Sequence, residues 1–281
     1  MSLRADLAGV ALGDGRPVAV MGVINVSPES FHPGSVYRGD DAVLTAALAM
    51  VEAGAALVDV GARSTAPYLE TGIDEAEETE RLVRAVETLA AKLPVPVSAD
   101  TFRPAVARAA LEAGARVVND VSALADPALA RVVAEHEAGL ILMAGPGPGR
   151  VLDAPVASVA RILTAALATA RADSVPEERI VLDPGIGFFR DAGLPWHAWD
   201  VAILAGLPAL RALGRPLCVG VSRKSFIGAL TGRDDPAARL PGSLAATAAA
   251  VLGGAALIRT HDVAETIDAV RVAERVRQAA P

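Results

Sequence analysis

At 281 residues, 52% of them hydrophobic but only 3% aromatic, the chain can bury a large core, and that core must be built from Ala, Val and Leu. A net charge of −7 leaves no basic footprint for a nucleic-acid partner, and the lone Cys218 can close no intrachain disulfide, which fits a reducing compartment. Asp6, Asp14 and Arg16 interrupt the apolar residues near the N-terminus and exclude a signal-peptide core. The longest uncharged stretch, between Arg239 and Arg259, is broken by Pro241, Gly242, Gly253 and Gly254 and so is no membrane span. A soluble, cytoplasmic protein is expected.

In chain order, apolar runs bounded by turn residues predict strands at 17–24, 57–60, 96–99, 117–118, 140–143, 180–182, 217–221 and 256–259. Helical patterns fall between and after them, at 41–53, 74–92, 104–113, 127–137, 158–172, 199–213, 243–252 and 263–279. Gly54, Gly114 and Gly139 each follow a helical run, where a left-handed residue ends a helix well. Strict alternation of strand and helix requires a parallel sheet, and eight units argue that it closes. The expected fold is a single α/β domain over residues 1–281, a (β/α)8 TIM barrel with its site at the C-terminal ends of the strands. Two connections, 25–40 and 61–73, are longer than such units need and lie on that face, so they are expected to be mobile covers; a third, Pro/Gly-rich one runs from 145 to 150.

The predicted strands end in polar residues. Asp100, Asn119 and Asp183 close strands three, four and six, and Lys224 follows strand seven. Any one of these acids or amides could simply cap the next helix. Together they offer donors and acceptors for a flat heterocycle bearing amino, imino and oxo groups. Arg259 and His261, two residues apart at the end of strand eight, face the same side. With Asn25 and the Ser64 and Thr65 hydroxyls they suit a phosphate-bearing anion and a divalent cation, the Asn25 amide oxygen being a candidate Mg²⁺ ligand. Zinc-ligand spacing, a nucleophile elbow and a Walker loop are all absent from the sequence.

These segments, read together, resemble the signature set of the dihydropteroate synthase family. They are Met-Gly-Val-Ile-Asn-Val-Ser-Pro-Glu-Ser-Phe (21–31), Ser-Thr-x-Pro (64–67), Asp-Thr (100–101), Asn-Asp-Val (119–121), Asp-Pro-Gly-Ile-Gly-Phe (183–188), Ser-Arg-Lys-Ser-Phe-Ile-Gly (222–228) and Arg-Thr-His-Asp-Val (259–263), in family order over nearly the whole chain. The resemblance implies folate biosynthesis: condensation of 6-hydroxymethyl-7,8-dihydropterin pyrophosphate with p-aminobenzoate, giving 7,8-dihydropteroate and pyrophosphate, with Mg²⁺ as cofactor and a homodimer as the assembly. By motif position it implies that Asp100, Asn119, Met143, Asp183, Lys224 and Arg259 hold the pterin. It assigns Asn25, Thr65, Arg259 and His261 to pyrophosphate, with Asn25 on the metal, and Phe31, Thr65, Pro67, Phe188, Ser222 and Ser225 to p-aminobenzoate. The catalytic set it implies is Asn25, Lys224, Arg259 and His261.

The chain departs from the family pattern in its loops. Arg63 stands where Glu is usual and Ala66 where Arg is usual; Glu29 replaces Asp, Ala144 replaces His, and Phe189-Arg190 replaces Gly-Lys. A pterin-binding methyltransferase and a pterin-binding paralogue without turnover therefore stand as alternatives. The anion set of Arg259 and His261 favours the synthase, because a methyl donor has no pyrophosphate to hold.

Overall fold

The structure, a computed structural model, describes residues 2–26, 39–63, 72–147, 154–190 and 194–279. Eight parallel strands close into a barrel in the order β10-β3-β4-β5-β6-β7-β8-β9. They are β3 (Ala19–Asn25), β4 (Leu57–Gly61), β5 (Val97–Asp100), β6 (Val117–Asp120), β7 (Gly139–Met143), β8 (Ile180–Asp183), β9 (Leu217–Gly220) and β10 (Ala255–Thr260). Around them lie α1 (Asp40–Glu52), α2 (Glu75–Ala90), α3 (Pro104–Glu112), α4 (Ala128–Glu135), α5 (Pro155–Ala172), α6 (Trp196–Ala205), α7 (Leu207–Leu210), α8 (Ser225–Thr231), α9 (Leu240–Leu252) and α10 (Val263–Ala279). The expected TIM barrel is the fold observed.

Alternation along each strand divides the buried residues into two cores. Val20, Val58, Val118, Leu140, Leu182, Val219 and Ile258 point outward into the layer shared with the helices. Their neighbours Met21, Leu57, Val117, Ile141, Val181, Cys218 and Leu257 point into the barrel and form a separate cluster. Small and branched side chains suit both faces, since each strand is covered on both sides.

The sequence reading missed what closes the bottom of the barrel. Ahead of β3, β1 (Arg4–Leu7) and β2 (Val10–Gly13) form an antiparallel hairpin. Its two-residue turn has positive φ at Ala8 and Gly9, and Asp6 Oδ1 accepts from the Gly9 amide at 2.6 Å. Ala5, Leu7 and Leu12 of the hairpin join the inner cluster. Leu7 presses on the first residue of β7, where a Cβ on Gly139 would lie 2.8 Å from Leu7 Cδ2; there the missing side chain admits the plug.

The helices differ from expectation in several places. The pattern at 199–213 is two helices, α6 and α7, parted at Gly206, with Pro208 in the first turn of α7. The helix expected at 243–252 begins earlier, at Leu240, with Pro241 in its first turn, where a missing N–H costs nothing. A short extra helix, α8, opens at Ser225.

Candidate active site

Two residues beyond the inner cluster the columns of side chains turn polar on four strands, while β3 keeps Val23, β7 Met143 and β9 Gly220. Leu57 is followed by Asp59, Val117 by Asn119, Ile141 by Met143, Val181 by Asp183 and Leu257 by Arg259; on β5, Ser98 is followed by Asp100. A period of two keeps them all facing inward, so six strands aim these residues into one mouth.

Asp59 is at the centre of this mouth. It is fully buried and was not among the site residues expected from sequence. Its carboxylate accepts from Ser98 Oγ at 2.6 Å, from Asn119 Nδ2 at 3.0 Å and from Arg259 Nε at 2.7 Å. Arg259 also donates through Nη2 to Asp100 Oδ2 at 2.8 Å. One guanidinium thus ties β10 to β4 and β5, while Asp59 adds β6. Burial works against the charge on Arg259, but Asp59 and Asp100 hold its pKa above the ordinary range.

Asp100 is placed differently. Its Oδ1 is buried and has no hydrogen-bond partner among the described residues. Burial pushes its pKa up to about 7, against the pull of Arg259 and with help from the negative charge of Asp59 and Glu78. Its Oδ1 is left to meet a polar atom on the edge of a heterocycle. Asp183 is also raised by burial, while the Gly185 amide, which donates to its Oδ1 at 2.7 Å, and the positive charges of Lys224 and Arg259 oppose the rise. Met143 stands beside Asp183 in the β7–β8 register and walls the pocket. None of these acids caps a helix: α3, which follows β5, has Arg103 at its N-cap with no side-chain cap bond.

Lys224 is the N-cap residue of α8 and reaches back across the mouth. Its Nζ donates to the Ile186 carbonyl at 2.5 Å and lies 4.4 Å from the centre of the Phe188 ring. Burial lowers its pKa to about 8, with Asp183 and Asp200 resisting. Phe188, half-buried, therefore sits at the edge of the same cavity.

The anion side is assembled from β9 and β10. Ser222 Oγ lies 2.9 Å from His261 Nδ1 and accepts from the His261 amide at 3.2 Å. Beneath them Arg223 and Asp262 form a two-pronged ion pair at 2.8 and 2.6 Å, so the 222–228 motif locks to the 259–263 motif. Arg223 donates as well to the carbonyls of Pro236 and Ala237. These bonds hold the two loops together. Ser225 Oγ accepts from Arg190 Nη2 at 2.6 Å, and Arg190 stacks over Trp196 at 4.3 Å. Asn25 ends β3 next to Gly61, and its Oδ1 and Asp100 Oδ2 lie 3.7 and 3.6 Å from the point a Gly61 Cβ would occupy.

Phe31, Thr65 and Pro67, with the neighbouring Ser64, Ala66 and Glu29, lie outside the described residues, as do most of the two long connections and positions 148–150 of the third. Of the remaining expected residues, Asp100, Asn119, Met143, Asp183, Lys224 and Arg259 are brought together, with Asn25, Phe188, Ser222, Ser225 and His261 around them. Asp59, Arg190 and Asp200 are additions. The one signal for Asp59 in the sequence is a charge inside the apolar run of β4, two residues before Gly61, and its position within the strand masks it.

The match to known proteins falls on this geometry. Residues 21–261 match the family model described as pterin binding enzyme. Dihydropteroate synthase of Mycobacterium leprae is 43% identical over 270 residues, covering 91% of this chain and 92% of the relative. The crystal structure of Xanthomonas albilineans dihydropteroate synthase with 4-aminobenzoic acid superimposes with a TM-score of 0.87 at 41% identity, covering all of both chains. The complex of the Xanthomonas albilineans enzyme with 7,8-dihydropteroate does so with a TM-score of 0.84 at 41% identity, over 99% of this chain and 100% of that one. A closed barrel whose mouth gathers acids, an amide and an arginine defines a pterin-binding enzyme. Within that class the chain belongs to the dihydropteroate synthase family.

Proposed function

We infer that the chain condenses 6-hydroxymethyl-7,8-dihydropterin pyrophosphate with p-aminobenzoate, releasing pyrophosphate and 7,8-dihydropteroate. The observation that carries this reading is Arg259, held by Asp59 and Asp100 on the pterin side of the mouth and two residues from His261 on the anion side. One strand end thereby serves both halves of the first substrate.

Asp100, Asn119, Asp183 and Lys224 grip the edge of the pterin and Met143 walls it. As the bond to pyrophosphate breaks, charge grows on the leaving oxygens, where Arg259 and His261 stabilise it. The carbon left behind is electron-poor and shares its deficit with the ring, which the buried carboxylates hold in a negative environment. The amine of p-aminobenzoate then attacks this carbon, beside Phe188. Ser225 and Arg190, at the first turn of α8, supply a hydroxyl and a guanidinium for the aryl carboxylate. The pair Ser222–His261 fixes the imidazole ring, and no protein nucleophile is needed.

Mg²⁺ suits the donor set. Asn25 Oδ1 and the Asp100 carboxylate flank Gly61, and among the described residues no group of three His, Cys, Asp or Glu could cage a metal. A cation held by one or two protein oxygens and completed by phosphate and water is the arrangement Mg²⁺ accepts. When bound, it would neutralise pyrophosphate oxygens.

The proposal includes a cytoplasmic homodimer. No described helix is long and apolar enough to cross a membrane. Val272 and Val276, 66% and 56% exposed one turn apart on α10, offer a second copy an apolar face.

Purified protein given both substrates and Mg²⁺ should form 7,8-dihydropteroate, detected by mass. Pyrophosphate release should require p-aminobenzoate and cease with EDTA. Protein that binds the pterin pyrophosphate yet forms no dihydropteroate at any p-aminobenzoate concentration would replace this reading with that of a paralogue without turnover.

A further inference from the structure

One buried acid beside this site is used by nothing above. Asp200, on α6, is 1% exposed, and Phe189 and Trp199, packed with ring centres 5.2 Å apart, close the wall beside it. Its Oδ1 accepts from the Gly187 amide at 2.7 Å, while its Oδ2 is buried with no hydrogen-bond partner among the described residues. Gly187 has φ +88, a conformation only glycine adopts cheaply, and a Cβ there would lie 2.6 Å from Lys224 Cδ. The stem of Lys224 therefore lies flat on the Gly187 backbone, and its ammonium touches the residue on either side, donating to Ile186 and stacking on Phe188. The turn 186–188 is a bed for the whole length of the lysine, and Asp200 bonds to the middle of that bed.

We propose that Asp200 is a positioning residue for Lys224, holding from α6 the turn on which the pterin-contacting lysine lies. The inference rests on the reading of Lys224 as a pterin contact.

The charges facing Lys224 are few. Asp183 on β8 and Asp200 on α6 favour the ammonium; Arg259 on β10 and Arg190 oppose it, and burial opposes it most. Asp200 is itself raised by burial, with the Gly187 amide, Lys224, Arg190 and His197 opposing the rise. Protonated, Lys224 gives a ring acceptor a charge-assisted hydrogen bond; neutral, its amine is a weaker donor. The share of pterin affinity that Lys224 supplies is thus full below its pKa of about 8 and falls as pH rises through that value. Removing the Asp200 charge takes away one of two carboxylates that favour the proton, so the fall should move to lower pH.

The experiment is calorimetric binding of 6-hydroxymethyl-7,8-dihydropterin across pH 6 to 10 to the full chain and to Asp200→Asn, Asp200→Ala and Lys224→Ala. Asp200→Ala should bind roughly tenfold more weakly at neutral pH, as loss of one charge-assisted bond predicts. Asp200→Asn keeps an acceptor for Gly187 and should recover most of that loss. Its alkaline fall should nevertheless shift down by about one pH unit, the effect of losing a nearby opposite charge. A residue that only braces the fold would lower the melting temperature and leave the fall in place. If Lys224→Ala weakens binding while the alkaline fall of Asp200→Asn coincides with wild type, the inference about Asp200 is overturned and the pterin site stands. If Lys224→Ala binds as tightly as wild type, the assignment of Lys224 itself is overturned. Should Asp200→Ala not fold, the position of the fall in Asp200→Asn decides the matter alone.

Discussion

At the lower end of the barrel, Leu7 and Leu12 of the hairpin pack onto Met21, Leu57, Val117, Ile141, Val181 and Leu257, all of them sealed from solvent. One step of the same columns higher, the barrel holds Asp59, Ser98, Asp100, Asn119, Asp183 and Arg259, also buried or nearly so. The two layers differ in how each side chain is stabilised. In the lower layer a residue needs only neighbours of the right shape, and its loss leaves a cavity. In the upper layer every charge needs a particular partner, because a charge left alone in a low-dielectric interior is costly. The upper layer is therefore the less forgiving one, and it is also where the proposed pterin contacts lie.

Asp59 should mark that difference most sharply. It alone satisfies donors from β5, β6 and β10, and its removal leaves the Arg259 guanidinium buried with Asp100 as its only carboxylate. Breaking one side of a buried pair costs about 3–5 kcal/mol. Asp59→Ala should therefore lose about that much in chemical denaturation and lose pterin binding as well. A variant that keeps the midpoint of wild type would show that Asp100 suffices for Arg259.

The lower layer provides the counterpart. Leu7→Ala empties a fully buried site against Gly139 and should cost about 2–5 kcal/mol of stability, the range for such truncations. Because the hairpin lies at the end of the barrel away from the mouth, kcat and KM of the folded protein should be unchanged. A changed KM with intact secondary structure would mean that the two layers are coupled and that the plug sets the geometry of the mouth.

The sequence made the barrel legible because parallel strands covered on both faces are apolar runs, and each is followed by a helical period. It made the upper layer legible because Asp100, Asn119 and Asp183 terminate such runs. Asp59 was obscured by the reverse situation: it lies inside β4 with Val58 and Val60 outward on either side, so it reads as part of the strand's interior. The hairpin was hidden by its composition. Residues 4–13 carry Arg4, Asp6 and Gly9 among apolar neighbours, a pattern too short and mixed to separate from a frayed end, and only the closed barrel shows where Leu7 and Leu12 go. Asp200 could not be assigned either, since a single acid in a helical pattern carries no sign of which turn it faces.

Within the upper layer, Asp183→Asn tests a smaller step. An amide cannot replace both acceptors of the carboxylate, and it turns one toward the substrate as a donor. Leaving one buried polar group unpaired costs about 1–3 kcal/mol, or roughly five- to a hundredfold in pterin affinity. Calorimetry should show that loss with stability little changed, since Asp183 is raised by burial and gains no protein ion pair as close as that of Asp59. Unchanged affinity would remove Asp183 from the pterin edge.

The smallest effect is expected at the rim, where Arg63 stands in the position at which the family usually has Glu. It lies in the second long connection, two residues before Thr65, which the resemblance assigns to pyrophosphate, so a cation there is a candidate to reach the leaving group. The structure directs it elsewhere. Its guanidinium stacks on Phe102 at 4.4 Å, and its Nε lies 3.9 Å from Glu78 Oε2, an oxygen that Arg103 already approaches at 2.9 Å. Glu78 is buried and also accepts from Thr101 Oγ1 at 2.6 Å, so Arg103 and Thr101 hold it without help from Arg63. Arg63→Ala therefore removes a stacking contact worth about 0.5–1 kcal/mol and a long ion pair worth less. The midpoint of unfolding should shift slightly, while kcat and the inhibition constant for added pyrophosphate stay where they were. A drop in kcat with weaker pyrophosphate inhibition would show that Arg63 leaves Phe102 during turnover and takes part in holding the leaving group, extending the upper layer of paired charges outward to the rim.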